Sequence, residues 1–188
     1  MLRLRSAPKT QNEKRAVKRY PTARTESRRS WLLRMYYNLH PTIRGAGGWM
    51  DFLSADMQEA HLSLRLFWRT RNYMGTIFGG SMFGTADPVF ALMLIQVLGQ
   101  GYVVWDKAAS IRFLKPGKGR LRTRCLLEAG EIGAVRQAVA ELGETDRVFS
   151  FEWEDAEGKV CAKVERTVYI ADKAFFQQKR AAKGQAAR

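Results

Sequence analysis

Apolar and polar residues alternate with a period of two in several stretches of the chain, which predicts half-buried β-strands. The clearest is Glu59–Trp68, in which Leu62, Leu64, Leu66 and Trp68 are expected to share the buried side. Three later runs alternate as well: Arg120–Glu128, Arg147–Glu154 and Val160–Ile170. Trp49–Leu53 and Trp105–Leu114 complete a set of six predicted strands.

A segment from about Gly80 to Leu98 has apolar residues on nearly every face of a helix. Such a helix must be buried all round, and in a domain this small only a wrapping sheet can bury it. Pro88 removes one backbone hydrogen bond, so we expect the helix to bend or to begin afresh near Asp87.

Two shorter helical patterns flank this arrangement. Ser30 could cap an N-terminal helix that Pro41 ends, and its apolar face carries helical spacing. That face consists of Trp31, Leu32, Met35, Tyr36 and Leu39. Glu131–Leu142 reads as a weak helix or a broken strand. The elements therefore predict an α+β domain with one long buried helix.

The net charge of +14 suggests a nucleic-acid partner until the charges are mapped. Twelve of the fourteen lie in residues 1–30 and 179–188, and the middle of the chain is nearly neutral. We therefore expect a flexible basic arm over 1–29, a folded domain over 30–172 and a basic tail over 173–188. Nucleic acid is not expected to be a partner of the folded domain.

Several features favour a cytoplasmic location. The N-terminus lacks the apolar segment of a secretory signal, and its Arg-rich start could mimic a mitochondrial transit peptide but is read more simply as a disordered arm. Cys125 and Cys161 fit small core residues better than a disulfide. Pro88–Trp105 is free of charge for 18 residues, but its glycines and glutamines argue against a membrane span.

The order of elements resembles the hotdog superfamily, in which a curved antiparallel sheet wraps around one long central helix. The likeness is specific at Asn72–Gly80, at Asp87 and at Ile111–Pro116. These segments are similar to those of acyl-CoA thioesterases of the phenylacetic-acid-degradation type and, more closely, to a thioesterase-like family of unknown function. The resemblance covers about residues 31–170 and implies a hotdog fold with an extra N-terminal helix.

The same resemblance implies a catalytic set. Asp87 has the offset of the catalytic carboxylate in those enzymes, and it is the one acid in the 46 residues from Ala60 to Trp105. It would act as a general base or as the nucleophile in thioester hydrolysis. The backbone amides of Gly79 and Gly80 would bind the oxyanion, with Asn72 beside them.

Further residues are expected to bind an acyl-CoA or acyl-carrier thioester. Phe78, Ser81 and Phe83 are candidates for substrate binding, and Arg112, Lys115 and Lys118 could contact the phosphates of coenzyme A. The family resemblance implies a site between two subunits, and therefore a homodimer or a homotetramer. No metal and no cofactor are expected.

Simpler structural roles exist for each of these residues. Asp87 followed by a proline could be a helix N-cap, the glycines could allow close packing, and Asn72 could be a turn residue. Phe78 replaces the His of the related thioesterases, which favours a non-catalytic acyl-CoA or fatty-acyl binding module as the alternative. In a third hypothesis, the basic arm binds nucleic acid or an anionic membrane.

Overall fold

The computed structural model describes residues 20–186 and contains a six-stranded antiparallel sheet with six helices around it. The strands are β1 (Gly48–Leu53), β2 (Glu59–Arg65), β3 (Tyr102–Phe113), β4 (Arg120–Leu126), β5 (Glu144–Glu154) and β6 (Val160–Asp172). The helices are α1 (Arg28–Leu39), α2 (Pro41–Ala46), α3 (Gly79–Ala86), α4 (Val89–Leu98), α5 (Ala129–Leu142) and α6 (Lys173–Ala186).

The strands lie in the order β1-β2-β4-β5-β6-β3, so β1 and β3 form the two edges. α3 and α4 lie against the concave side as the central helix of a hotdog fold, which confirms the predicted fold class. The predicted inward rows of β4 and β5 are correct, because Leu121, Cys125, Phe149, Phe151 and Trp153 are all buried. Glu131–Leu142, left open between helix and strand, is the helix α5.

Aromatic contacts fix the central helix against the sheet. Phe90 of α4 stacks on Phe149 of β5 at a centroid distance of 4.8 Å. Trp153, which is fully buried, donates its indole N–H to the carbonyl of Met82 at 3.1 Å. The two halves of the helix are therefore held on the same strand, β5. By length and composition Gly79–Leu98 could cross a membrane, but half of it is buried in this core.

The central helix is broken at Asp87 and Pro88, as the proline predicts. The N–H of Asp87 donates to the carbonyl of Gly84 instead of the carbonyl four residues earlier, and Pro88 has no N–H to donate. α4 then begins with a bond from Leu92 N to Pro88 O. The break leaves the carbonyl of Phe83 without its helical hydrogen-bond donor. A side chain of the site described below donates to this carbonyl instead.

Two predicted faces are wrong. Trp31, Leu32, Tyr36 and Leu39 of α1 point away from the domain, and α1 packs through Ser30, Tyr37 and Asn38 instead. Ser27, three residues before Ser30, caps the helix. Trp68 was placed on the buried side of a strand, but the strand β2 ends at Arg65 and the Trp68 side chain is exposed. The expectation that the central helix is buried on every side also fails at Ile95, which is exposed.

Residues 20–29 fall within the sequence assigned to the basic arm, and the structure places them on the domain. Tyr20–Ser27 runs along the outer side of the sheet, where Thr22 donates to Glu59 and the ring of Tyr20 contacts His61. Arg28 and Arg29 form the first turn of α1. Residues 1–19 of the predicted arm lie outside the described part of the chain.

The two edge strands differ in how their backbone groups are used. The side chain of Asn38 accepts from the N–H of Met50 at 2.7 Å and donates to its carbonyl at 3.0 Å. Glu26 accepts from the N–H of Leu53 at 3.1 Å. Side chains therefore occupy backbone groups of β1, whereas β3 is a 12-residue strand bonded only on its β6 side within the described chain.

Candidate active site

An ion pair between Asp87 and Arg166 lies at the break of the central helix. A guanidinium nitrogen of Arg166, Nη1, donates to Oδ1 of Asp87, while Nη2 donates to the carbonyl of Phe83 at 2.8 Å. The Asp87 side chain is 54% exposed, and that of Arg166 is 1% exposed. A buried cation therefore holds a carboxylate that solvent can still reach.

Arg166 supplies the hydrogen bond that the broken helix lacks. The carbonyl of Phe83 is the one that Asp87 N would satisfy in a continuous helix, and the guanidinium takes that place. The guanidinium carbon also lies 4.5 Å from the centroid of the Phe83 ring, a cation–π contact. One side chain thus caps the first half of the helix and positions the carboxylate at its end.

Asp106 is a second carboxyl group in this region. It lies on β3 opposite Val168 of β6, two residues along β6 from Arg166, next to a bulge between Asp106 and Ala108. Its Oδ1 is buried and has no hydrogen-bond partner among the described residues. Burial raises the pKa of Asp106 from 3.8 to about 6, with the charge of Asp87 adding to the effect and that of Arg166 opposing it.

A groove of about 620 Å³ opens at the other end of α3. Its lining includes Asn72, Gly79, Phe113, Lys115 and Lys118. Four of the predicted residues are therefore brought together here: Asn72, Gly79, Lys115 and Lys118. Asp87 does not line this groove, because the full length of α3 separates it from Gly79.

Two aromatic rings cover the glycines at the start of α3. A Cβ on Gly79 would lie 2.5 Å from the ring of Phe113, and one on Gly80 would lie 2.3 Å from the ring of Phe78. Both glycines therefore permit close packing of a ring, which is the simpler structural role considered for them from the sequence. Their amides belong to the first turn of α3, where backbone N–H groups have no helical acceptor.

Asn72 and Lys115 already have partners within the chain. Oδ1 of Asn72 accepts from the N–H groups of Met74 and Thr76 at 3.0 and 3.1 Å, which closes its own turn. Nζ of Lys115 lies 2.5 Å from Asp155. Lys118, which also borders the groove and is exposed, is the freer cation for an anionic group of a ligand.

Four other predicted residues lie away from the groove lining. Ser81 is buried, and Phe83 packs under Arg166 rather than along an open channel. Arg112 pairs in register with Lys163 on β6, one residue from the inward-facing Phe113, and so points to the opposite face of the sheet. Phe78 is exposed at the N-terminus of α3, beside Gly80.

Sequence reasoning missed Arg166 and Asp106. Arg166 interrupts an inward row of β6 that otherwise reads Val164, Val168 and Ile170. A cation in such a row must face a buried anion, and Asp87 was the one acid of the central helix, so alternation alone could have paired them. Asp106 gave no comparable signal, because its inward direction depends on the bulge in β3.

Within residues 20–186, no three His, Cys, Asp or Glu side chains are grouped as they would be to hold a metal ion. Cys125 and Cys161 are both buried and free. His61 is bound to Glu59 at 2.7 Å. The chemistry available at the site is therefore that of carboxylates, a guanidinium and backbone amides.

Comparison with known proteins agrees with this architecture. Residues 28–170 match the family model described as Domain of unknown function (DUF4442). No curated protein is detectably similar to the sequence. The solved structures that are similar to the chain include several proteins with thioesterase names.

A probable thioesterase of unknown function from Pseudomonas aeruginosa has a TM-score of 0.67 and 18% identity, covering 76% of this chain and 95% of its own. A thioesterase from Haemophilus influenzae has a TM-score of 0.59 and 14% identity, covering 80% and 96%. The PaaI protein from the phenylacetic acid degradation operon of E. coli has a TM-score of 0.55 and 18% identity, covering 77% and 94%. At these identities the likeness establishes the shared fold.

Proposed function

Because the chain belongs to the DUF4442 family and has the hotdog fold of thioesterase-like proteins, we propose that it hydrolyses acyl thioesters with Asp87 as the reacting carboxylate. The observation that carries the proposal is the exposed carboxylate of Asp87 at the break of an otherwise apolar central helix. Arg166 fixes its position from the buried side. A carboxylate that is held in position and is reachable by solvent is what a general base requires.

The proposed reaction uses one water and returns the site to its starting state. Asp87 takes a proton from water as the water oxygen bonds to the thioester carbonyl carbon. The C–S bond then breaks, and the leaving thiolate receives that proton. The products are a carboxylic acid and a free thiol. If Asp87 instead attacks as the nucleophile, its oxygen bonds to the carbonyl carbon and the C–S bond breaks, which gives a mixed anhydride and a thiolate. Water then cleaves the anhydride to the carboxylic acid and the Asp87 carboxylate, and the proton released goes to the thiolate.

The substrate would lie along the space between α3 and the inner side of β3. At one end of this space Phe113 meets Gly79. At the other end Arg166, which binds Asp87, is opposite Ala109 of β3 in the strand register. Between these ends the inward row of β3 contains Ile111, whose side chain is apolar, as an acyl chain requires. Lys118 at the mouth of the groove is suited to an anionic leaving group such as coenzyme A or a carrier-bound phosphopantetheine.

The proposed oxyanion donors and the proposed base do not meet within one chain. Eight residues of helix separate Gly79 from Asp87, which is about 12 Å along the axis. The thioester oxygen must lie within about 3 Å of the amides, while the base must lie within about 3 Å of the water that attacks the adjoining carbonyl carbon. We therefore infer that each site combines the start of α3 from one subunit with Asp87 from another.

The edge strand β3 favours such a pairing of subunits. Among residues 20–186 its backbone pairs with one strand only, and Ala108, Ala109 and Ser110 have small side chains. Two copies joined along β3 would extend the sheet and bring the two central helices side by side. A homodimer is thus the smallest unit in which the proposed site is complete.

The test is release of free thiol from a panel of acyl-CoA esters by the full-length protein. We expect Asp87→Asn, which retains a polar partner for Arg166, to lower turnover at least about 100-fold, the scale for removing a general base. Glu141→Gln on α5 is a control with the same change of charge, since Glu141 is exposed and does not border the groove. Unchanged turnover in Asp87→Asn would remove this residue from the mechanism.

A binding module without catalysis gives a different result in the same experiment. Phe78, where the related thioesterases have His, favours this second candidate. It predicts a thermal shift with acyl-CoA in both the wild-type protein and Asp87→Asn, and no thiol release for any chain length. That outcome would replace hydrolysis as the function.

A further inference from the structure

The outward side of α1 carries an apolar stripe that is largely exposed in the described chain. The α1 stripe consists of Trp31, Leu32, Met35, Tyr36 and Leu39, which fall within an arc of about 140° because successive helix residues are about 100° apart. The four larger exposures, those of Trp31, Leu32, Tyr36 and Leu39, lie between 45% and 66%. Ser30 and Tyr37, on the opposite side, face the domain.

This arrangement cannot be explained by packing in the fold. α1 already has its internal contacts, since Asn38 binds the backbone of Met50 and Tyr37 donates to the carbonyl of Thr85. A contiguous apolar patch on the surface marks a place where something else is bound. The sequence pattern that predicted a buried face therefore identifies a binding face instead.

The charges around the α1 stripe indicate what it binds. From Ser27 to Met50 the chain contains four arginines and no acid. Arg28 and Arg29 are exposed at the start of the stripe, and Arg44 is exposed on α2 just beyond its end. Arg34 is excluded, because Glu26 neutralises it at 2.7 Å.

The sequence immediately upstream adds to this charge. Residues 1–19 contain seven Lys or Arg and one acid, Glu13. An anionic surface complements the whole of this region. A second copy of the same face would instead oppose arginines to arginines, and so the observations favour a partner that is not another copy of this chain.

We propose that the α1 stripe docks the protein onto an anionic lipid surface, with α1 lying in the plane of the interface. Trp31 and Tyr36 have rings with one polar group, which suits the headgroup level, and Leu32, Met35 and Leu39 would enter the acyl boundary. The flanking arginines would contact lipid phosphates. This function goes beyond thioester hydrolysis and does not depend on it.

Vesicle flotation of the full-length protein tests the proposal. Phosphatidylcholine vesicles with phosphatidylglycerol should carry the protein, and vesicles of phosphatidylcholine alone should carry much less. Trp31→Ser combined with Leu32→Ser should reduce binding to the anionic vesicles at least about tenfold. A reduction of this size corresponds to only part of the free energy of burying two large apolar side chains. Leu142→Ser combined with Val148→Ser is the matched control, since both residues are exposed and apolar but lie on other elements.

Two further variants separate the stripe from its surroundings. Tyr36→Ser with Leu39→Ser should reproduce the loss, which guards against a folding defect in the first double variant. Arg28→Gln with Arg29→Gln should weaken binding and reduce its salt dependence. Quenching of tryptophan fluorescence by brominated lipid should be lost in the Trp31→Ser variants, although Trp49, Trp68, Trp105 and Trp153 remain.

Three results would overturn the proposal. One is wild-type protein that fails to float with anionic vesicles. Another is binding that the stripe variants leave unchanged, because the basic arm alone would then suffice. The third is a stripe variant whose sedimentation without lipid shows a smaller assembly than the wild type, because the stripe would then be a contact between subunits.

Discussion

Arg166 is buried beneath Asp87 and joins it to the carbonyl of Phe83, so one guanidinium ties the proposed reacting carboxylate to the broken end of a helix. This relationship makes the position of Asp87 depend on a residue 79 positions later in the chain. It also gives the two residues different expected effects when they are changed.

Replacing Arg166 should lower the free energy of unfolding by more than the loss of one hydrogen bond would. Arg166→Met leaves the Phe83 carbonyl without its donor, and we expect a loss of about 3 kcal/mol in the free energy of unfolding by urea. Asp87→Asn combined with Arg166→Met should lose less than the sum of the two single changes, because no unpaired charge remains. Strictly additive losses would show that the ion pair does not couple the two residues.

Asp106 should give the folded protein a distinctive pH dependence. Its folded pKa, about 6, lies above its ordinary value of 3.8, so the folded state binds the proton more tightly. Its contribution to stability is therefore fully present below about pH 4 and is lost as the pH rises through about 6. In Asp106→Asn the thermal midpoint should lose this part of its pH dependence. Glu165→Gln, exposed on the outer side of β6, should keep it.

Gly79 should tolerate a side chain only if a facing ring is removed. In Gly79→Ala the new Cβ would lie 2.5 Å from the Phe113 ring, and the overlap should cost about 1–3 kcal/mol in urea unfolding. Phe113→Ala in the same chain should restore part of the loss. Gly130→Ala is a control in α5, where a Cβ meets no atom within 4 Å. Equal costs at positions 79 and 130 would contradict the close packing of Phe113.

Glu59 should hold the segment Tyr20–Ser27 on the sheet. Burial alone would raise the pKa of Glu59. Hydrogen bonds from Arg124, His61 and Thr22 nevertheless hold this pKa below its ordinary value. Glu59→Gln should therefore weaken this attachment and speed amide exchange at Ala55, whose N–H donates to Thr25. Because its pKa is lowered in the folded state, Glu59 stabilises the fold when the pH is above the ordinary pKa of a glutamate. Acidification should therefore weaken the attachment in the wild type as well. Unaltered exchange in Glu59→Gln would mean that the segment is held elsewhere.

The strands and the central helix could be predicted because burial repeats at fixed intervals along them. The alternation in β4 and β5 places Leu121 and Phe149 correctly, and the all-round apolar pattern before Leu98 identifies the central helix. The resemblance to thioesterases contributed Asp87 and its spacing from the glycines. The family and the hotdog fold are confirmed, whereas the catalytic role remains a proposal.

The errors arise where periodicity does not specify which side faces the core. In α1 the row that contains Trp31 and Leu39 has the stronger apolar character, yet Asn38 decides the orientation because it satisfies the backbone of an edge strand. Trp68 lies beyond the end of β2, where the chain leaves the sheet. Asp106 depends on a bulge, and no spacing rule anticipates which residue a bulge turns inward.

The contacts of Asn38 and Glu26 with β1 also limit how copies of this chain can assemble. A sheet with both margins available could add chain after chain without end, as fibrils do. In the described chain, side chains occupy part of the backbone at one margin, which favours strand-to-strand growth through the other. Growth through a single margin would end once two chains had met.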